Sequence, residues 1–307
     1  MNFADRLSKK IIEVNSRIVV GLDPHLDMFP ESILREHDIT KNSIYESGET
    51  VQRAADAVAH FMRIAIDAIY EYACAVKLQS ALYEALGIPG MEVMANTLQL
   101  ASKYDLITIV DGKRGDIGSS MKGYLNAYFS SDGSAPFEAD AITINPYMGY
   151  DVVSIFNEAL IEWGKGLFVL VRTSNPEASN IQNVKLSNGS ELFEHMAGLV
   201  EEWGRDYRGE IFGYSSMGAV VGLTAGEDAF KVRQHLGNSY LLMPGFGPQG
   251  GELSIIRDLC SESGLGVLLV SSRAILFSDI GKDLKDSIKN NTKDLQIISN
   301  NLMIKNN

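Results

Sequence analysis

The chain reads as a (β/α)8 TIM barrel, an α/β fold in one domain, and three observations predict it. Eight short apolar runs rich in Val, Ile, Leu or Ala recur along the 307 residues. Each run is nearly continuous rather than alternating, the pattern of a strand buried on both faces of a parallel sheet. Segments of helical period separate the runs, and no Pro/Gly/Ser-rich linker divides the chain in two. An open doubly wound sheet is the competing architecture, and the count of eight with no divide favours the closed barrel.

The elements follow in order. IVVGLD (18–23) is the first strand and ends in Asp23. A helix is predicted over 51–69, where Val51, Ala54, Ala55, Val58, Phe61, Met62, Ala65, Ile66 and Ile69 fall at i, i+3, i+4, i+7 spacing. CAVKLQ (74–79) is the second strand and carries Lys77 and Gln79. A helical stripe over 91–103 leads to LITIVDGK (106–113), which ends in Asp111 and Lys113 with Asp116 just beyond. AITIN (141–145) is the fourth strand, followed by a stripe over 151–163. LFVLVRTS (167–174) closes on Arg172, Thr173 and Ser174, and a stripe over 191–203 precedes AVVGLT (219–224). YLLMPGFG (240–247) runs into the turn PGFGPQGG (244–251), then a stripe over 252–260. GVLLVSSRA (266–274) completes the set at Ser271, Ser272 and Arg273. The barrel domain is assigned to 1–288, with the Asn- and Lys-rich 289–307 as a helical or frayed tail. The stretches 24–45 and 175–190 look inserted and have no assignable function.

Composition excludes several classes. With 27 Lys and Arg against 39 Asp and Glu, the net charge is −12, and no cationic run exists to grip a phosphate backbone, so no nucleic-acid partner is expected. Cys74 and Cys260 are too far apart in sequence for a CxxC site, and two cysteines make no disulfide framework, which suits a reducing compartment. MNFADRLSKKIIEVN lacks the apolar core of a signal peptide. No apolar run approaches the ~18 residues of a membrane span. A soluble cytoplasmic protein with no membrane partner is expected. The histidines show no HxxE or HExxH spacing, so no metal site is expected.

Barrels of this kind work at the C-terminal ends of their strands. Charges on otherwise apolar strands are costly unless paired or used. In DGKRGDIGSS (111–120), side chains two apart on a strand share a face, so Asp111 and Lys113 are expected to point together towards the barrel mouth. Lys77 from the neighbouring strand and Asp116 would complete an array of alternating sign, each member holding the next ionised. The bland alternative is a solvated ion-pair network. At the other end of the chain, the glycines of 244–251, the amide of Gln249 and the planar fork of Arg273 suit a phosphate. Gly245, Gly247 and Gly250 match GxGxxG, but the dinucleotide reading needs an acid ~20 residues on, and positions 270–272 are Val, Ser and Ser. Phosphate-ester binding is the better reading.

Taken in order, GLD (21–23), VKLQ (76–79), DGKRGDIGSS (111–120), TINPYMG (143–149), VRTSNP (171–176), VVGLT (220–224), PGFGPQGG (244–251) and SSRA (271–274) resemble the orotidine 5′-phosphate decarboxylase family, most of all its longer-chain bacterial branch. The resemblance is collinear over nearly the whole chain. It implies decarboxylation of orotidine 5′-monophosphate (OMP) to UMP in pyrimidine biosynthesis, with no metal and no cofactor. Lys113 would protonate C6 of the pyrimidine, and Asp111 would sit beside the substrate carboxylate. Asp116 would reach into the partner subunit's site, making the active unit a homodimer. Lys77 and Asp23 would contact the ribose hydroxyls, and Ser120 takes the family's ribose-binding threonine position. Ser174 would hydrogen-bond the pyrimidine, while Gln249 and Arg273 would grip the phosphate as the strand-seven loop closes. Ser272 stands where many members have glycine, so its contact with phosphate is open. Two rivals remain. Magnesium-dependent sugar-phosphate enzymes of the same superfamily share D-x-K-x-x-D but carry a glutamate where this chain has Lys77. A non-catalytic phosphate-binding barrel would use only the Gln249 and Arg273 end.

Overall fold

The structure, a computed structural model, describes residues 1–247, 255–278, 280 and 283–303. Eight parallel strands close on themselves in sequence order. They are β1 (Ile18–Gly21), β2 (Ala75–Gln79), β3 (Ile107–Arg114), β4 (Ala141–Ile144), β5 (Gly166–Arg172), β6 (Ser215–Val221), β7 (Ser239–Pro244) and β8 (Val267–Ser271). β8 pairs with β1, Val19 opposite Val270, and this pairing closes the ring. The predicted barrel is therefore the observed one.

Two apolar layers explain why the strands read as continuous runs. Val19, Ala75, Ile109, Ala141, Phe168 and Leu268 fill the barrel interior. Their neighbours Ile18, Val20, Val76, Val110 and Ile142 face outward into the larger core beneath the helices. Both faces of each strand are dry, so no alternation survives.

The helix Phe3–Glu13, which the apolar runs do not announce, plugs the floor of the barrel. Asn2 caps it by accepting the Asp5 N–H at 2.8 Å. The Phe3 ring meets Phe168 edge-on, with centroids 6.0 Å apart. Gly166 is required there, because a Cβ would lie 2.3 Å from the Phe3 ring.

The helix predicted over 51–69 runs Gly48–Ile69, started by a capping box between Ser47 and Thr50. The stripe at 91–103 lies in Gly87–Lys103, and that at 191–203 in Leu192–Gly204. The 151–163 stripe is broken into Asp151–Ser154 and Asn157–Ile161. Of the 252–260 stripe, Ile255–Leu259 is helical, and residues 252–254 lie outside the described set. β6 begins four residues before its apolar run. The buried Ser215 and Ser216 disguise its start, and Ser215 donates to the Gly204 carbonyl at 2.7 Å.

The 288/289 boundary falls inside one helix, Leu284–Asn301. Asp283 caps it, and Ile288 and Leu295 are buried. Arg17, at the root of β1, donates to Ser299 and Asn300 and ties the helix to the barrel. The stretch 289–303 is thus mostly an ordered helix. The 24–45 stretch folds over the rim, where Phe29 packs on Phe61 and Phe277.

Candidate active site

A cavity of about 1210 Å³ opens at the C-terminal ends of the strands. Its charged floor comes from the first three strands. The Asp111 carboxylate is the hub. Lys113 Nζ donates to its Oδ1 at 2.7 Å, and Lys77 Nζ lies 3.1 Å from its Oδ2. Gln79 also donates to Oδ2, at 3.2 Å, and Thr143 donates to Oδ1 at 2.9 Å. Lys77 reaches Asp23 at 3.5 Å on its other side.

Burial alone would raise the Asp111 pKa. Attraction to Lys77 and Lys113, with hydrogen bonds from Lys113 and Thr143, reverses this and holds the carboxyl at about 2. Lys77 is driven the other way. Burial favours its neutral amine, but Asp23 and Asp111 outweigh burial and keep the ammonium's pKa above its usual value. Both groups are therefore ionised at neutral pH. Lys113 differs in being 42% exposed at its side chain, so its head is open to the cavity.

The convergence of Asp111 and Lys113 does not arise from regular strand alternation. Val110 pairs with Ile142 and Arg114 with Ile144, so residues 111–113 face the single residue Thr143. β3 bulges here, and Lys113 sits inside the bulge with φ +46°. A bulge re-aims a side chain, and left-handed backbone is costly away from glycine. Arg114, beyond the bulge, is fastened to Glu84 and Tyr128 and packs over the Tyr124 ring.

Asp116 does not join the array within this chain. It lies in the turn before the helix Gly118–Tyr128, where its carboxylate accepts the Ile117 N–H at 2.8 Å. Ser120 lies on that helix, exposed and outside the cavity wall. Within one chain, three of the four expected charges converge, and Asp23 joins them.

The rest of the cavity wall carries several of the other candidate residues. Ser174 lines it beyond β5, and Ser272 and Arg273 line it beyond β8. The Ser271 and Ser272 hydroxyls are buried with no hydrogen-bond partner among the described residues. Gly21 makes room for Ser272, since a Cβ at 21 would lie 2.7 Å from the Ser272 Cβ. Gly245 and Gly247 line the cavity, while Gln249, Gly250 and Gly251 lie outside the described residues. Cys74 and Cys260 are free, and burial pushes the Cys74 thiol up to about 12 and the Cys260 thiol up to about 11.

Thr143 and Gln182 are wall residues that the sequence does not mark. Thr143 sits on an apolar run and carries no charge to mark it. Gln182 belongs to the inserted 175–190 stretch. Its Oε1 accepts the Thr173 N–H at 2.9 Å, and its Nε2 donates to Thr173 Oγ1 at 2.8 Å. The insertion thus braces the turn that carries Ser174.

A family model described as orotidine 5′-phosphate decarboxylase / HUMPS family matches residues 16–279. An orotidine 5′-phosphate decarboxylase of Caldicellulosiruptor saccharolyticus is 37% identical over 286 residues, spanning 91% of this chain and 90% of the relative. One from Clostridium tetani is 38% identical over 274 residues, 89% of this chain and 88% of the relative. The solved structure of Leishmania donovani OMP decarboxylase superposes with a TM-score of 0.73 at 24% identity, covering 97% of this chain and 99% of that one. At that identity the likeness speaks for the fold.

Proposed function

Since the chain belongs to the orotidine 5′-phosphate decarboxylase / HUMPS family, we propose how its residues divide the work of that reaction. The reaction is decarboxylation of OMP to UMP, a carboxy-lyase step of pyrimidine biosynthesis. The observation that supports the assignment is the Lys77–Asp111–Lys113 array on the cavity floor.

The bond from C6 of the pyrimidine to the carboxylate breaks, CO2 departs, and the electron pair stays on C6. Lys113 gives an ammonium proton to C6, a C–H bond forms, and the amine regains its proton from solvent. A fixed cation beside the developing carbanion interacts more strongly with the transition state than with the substrate, which is what lowers a barrier. Asp111, ionised and facing the leaving carboxylate, adds a repulsion that CO2 release relieves. Lys77 and Asp23 hold ribose hydroxyls, and Ser174 meets the pyrimidine. Arg273, Ser272 and Gln249 take the phosphate, whose binding energy is used to hold the base in place. The net charge of −12 does not repel the anionic substrate from this spot. Distant charges are screened beyond ~8–10 Å, and Lys77, Lys113 and Arg273 dominate inside that range.

Asp116 and Ser120 serve the site of a second copy in a homodimer. Supporting this, Asp116 is half-buried and Ser120 exposed, and the adjoining segments after β3 and β4 carry Ile117, Tyr147 and Met148, which are 54%, 86% and 50% exposed. Such apolar exposure suits an interface. A cytoplasmic setting belongs to the same reading, supported by the two unpaired cysteines. No helix among the described residues is long and apolar enough to cross a membrane.

The magnesium-dependent reading is disfavoured by Lys77, whose ammonium lies between the two carboxylates that would otherwise attract a cation. Loss of OMP absorbance at neutral pH tests the choice. Turnover unchanged by EDTA is expected. Activity abolished by EDTA and restored by magnesium would overturn the proposal.

A further inference from the structure

We propose that Thr143 is a positioning residue for the reaction, its single hydroxyl fixing both Asp111 and Lys113 in their working geometry. The inference rests on the reading of Lys113 as proton donor and goes beyond it. Thr143 is 1% exposed and sits on β4 opposite the three-residue bulge of β3. The bulge takes the Lys113 N–H off the strand ladder. Thr143 Oγ1 accepts that N–H at 2.9 Å. The same oxygen donates its one proton to Asp111 Oδ1 at 2.9 Å. Lys113 Nζ donates to that same Oδ1 at 2.7 Å. A closed circuit results: the Lys113 backbone, the Thr143 hydroxyl, the Asp111 carboxylate and back to the Lys113 ammonium.

Each link limits a different freedom. The backbone link holds Lys113 at φ +46°, a conformation that relaxes to the ordinary region if unsupported. The carboxylate link fixes the oxygen that aims the ammonium. The β-branched side chain of threonine has restricted χ1, so the hydroxyl itself is held. Removing the hydroxyl leaves the charges present but lets the ammonium wander. A displacement near 1 Å in such a group costs on the order of 10²-fold in rate. Affinity for the nucleotide, set by the phosphate and ribose contacts, depends little on this circuit.

The test is Thr143→Val, which keeps the shape and removes the hydroxyl, read through kcat for OMP and the Kd of UMP. The expected result is a kcat fall of roughly 10–100-fold with the Kd of UMP changed less than about threefold. Thr143→Ser, which keeps the hydroxyl, recovers most of the lost rate. Thr143→Ala stands in for valine if that variant does not fold, which circular dichroism reports. Lys113→Ala in parallel separates the two failures. If it retains turnover, the proton-donor premise falls and the proposal with it. If it is inactive while Thr143→Val or Thr143→Ala turns over normally, the premise stands and the positioning role is overturned. Loss of UMP affinity matching the loss of kcat would also overturn it, since that marks a general structural role.

Discussion

Replacing Asp111 by Asn removes the hub of the array while keeping its shape. The carboxyl is held from an ordinary 3.8 down to about 2. At 1.36 kcal/mol per unit, that difference is worth about 2.5 kcal/mol of folding stability. Breaking a buried pair on one side commonly costs about 3–5 kcal/mol. The partial exposure of Lys113 keeps the value here at or below the lower edge of that range. The sign follows from the depressed pKa: the contribution is fully present above pH 3.8 and is lost as pH falls through about 2. About half remains at pH 3. Urea unfolding followed by far-ultraviolet circular dichroism measures it. With a slope of about 3 kcal/mol/M, the Asp111→Asn midpoint at pH 7 lies about 0.8 M below that of the unchanged protein. The gap narrows to about half at pH 3. Equal midpoints at pH 7, or a gap that does not shrink on acidification, would mean that the ionised Asp111 carboxylate does not stabilise the fold.

Two further outcomes follow from the site. Lys113→Ala and Asp116→Ala are each expected to be inactive, but mixing them under subunit exchange restores about a quarter of full activity, because half the dimers are mixed and each carries one intact site; no recovery would place Asp116 in its own chain's site. Arg273→Ala is expected to raise KM for OMP far more than it lowers kcat, since a phosphate contact is largely made in both ground and transition states; steady-state kinetics showing kcat falling as far as in Lys113→Ala would contradict that.

The barrel was legible because parallel strands between two apolar layers leave long uninterrupted runs, and the charges interrupting those runs stand out. Asp23, Lys77, Asp111 and Lys113 stand out that way, Ser174, Ser272 and Arg273 mark strand ends, and all seven line the cavity. The path by which Asp111 and Lys113 converge was not legible. Two-residue alternation and a bulge leave the same letters in the sequence, and the bulge shows only in the register against β4. Thr143 was hidden for a related reason, since a threonine in AITIN is an ordinary strand former. Gln182 was hidden because its partner, Thr173, lies across a turn. The helix Phe3–Glu13 could have been read from the spacing of Phe3, Ala4, Leu7 and Ile11, which are all buried. The start of β6 could not, because buried serines look like a turn.

In the proposed reaction the Lys113 ammonium, aimed by Asp111, supplies the proton to the ring carbon. Single-turnover decarboxylation of OMP by Lys113→Ala, measured beside its affinity for UMP, decides whether it does. Turnover is expected to fall by about 10⁵-fold, the product of a general-acid and an electrostatic contribution, while UMP still binds. Decarboxylation at a near-normal rate in that variant would contradict it.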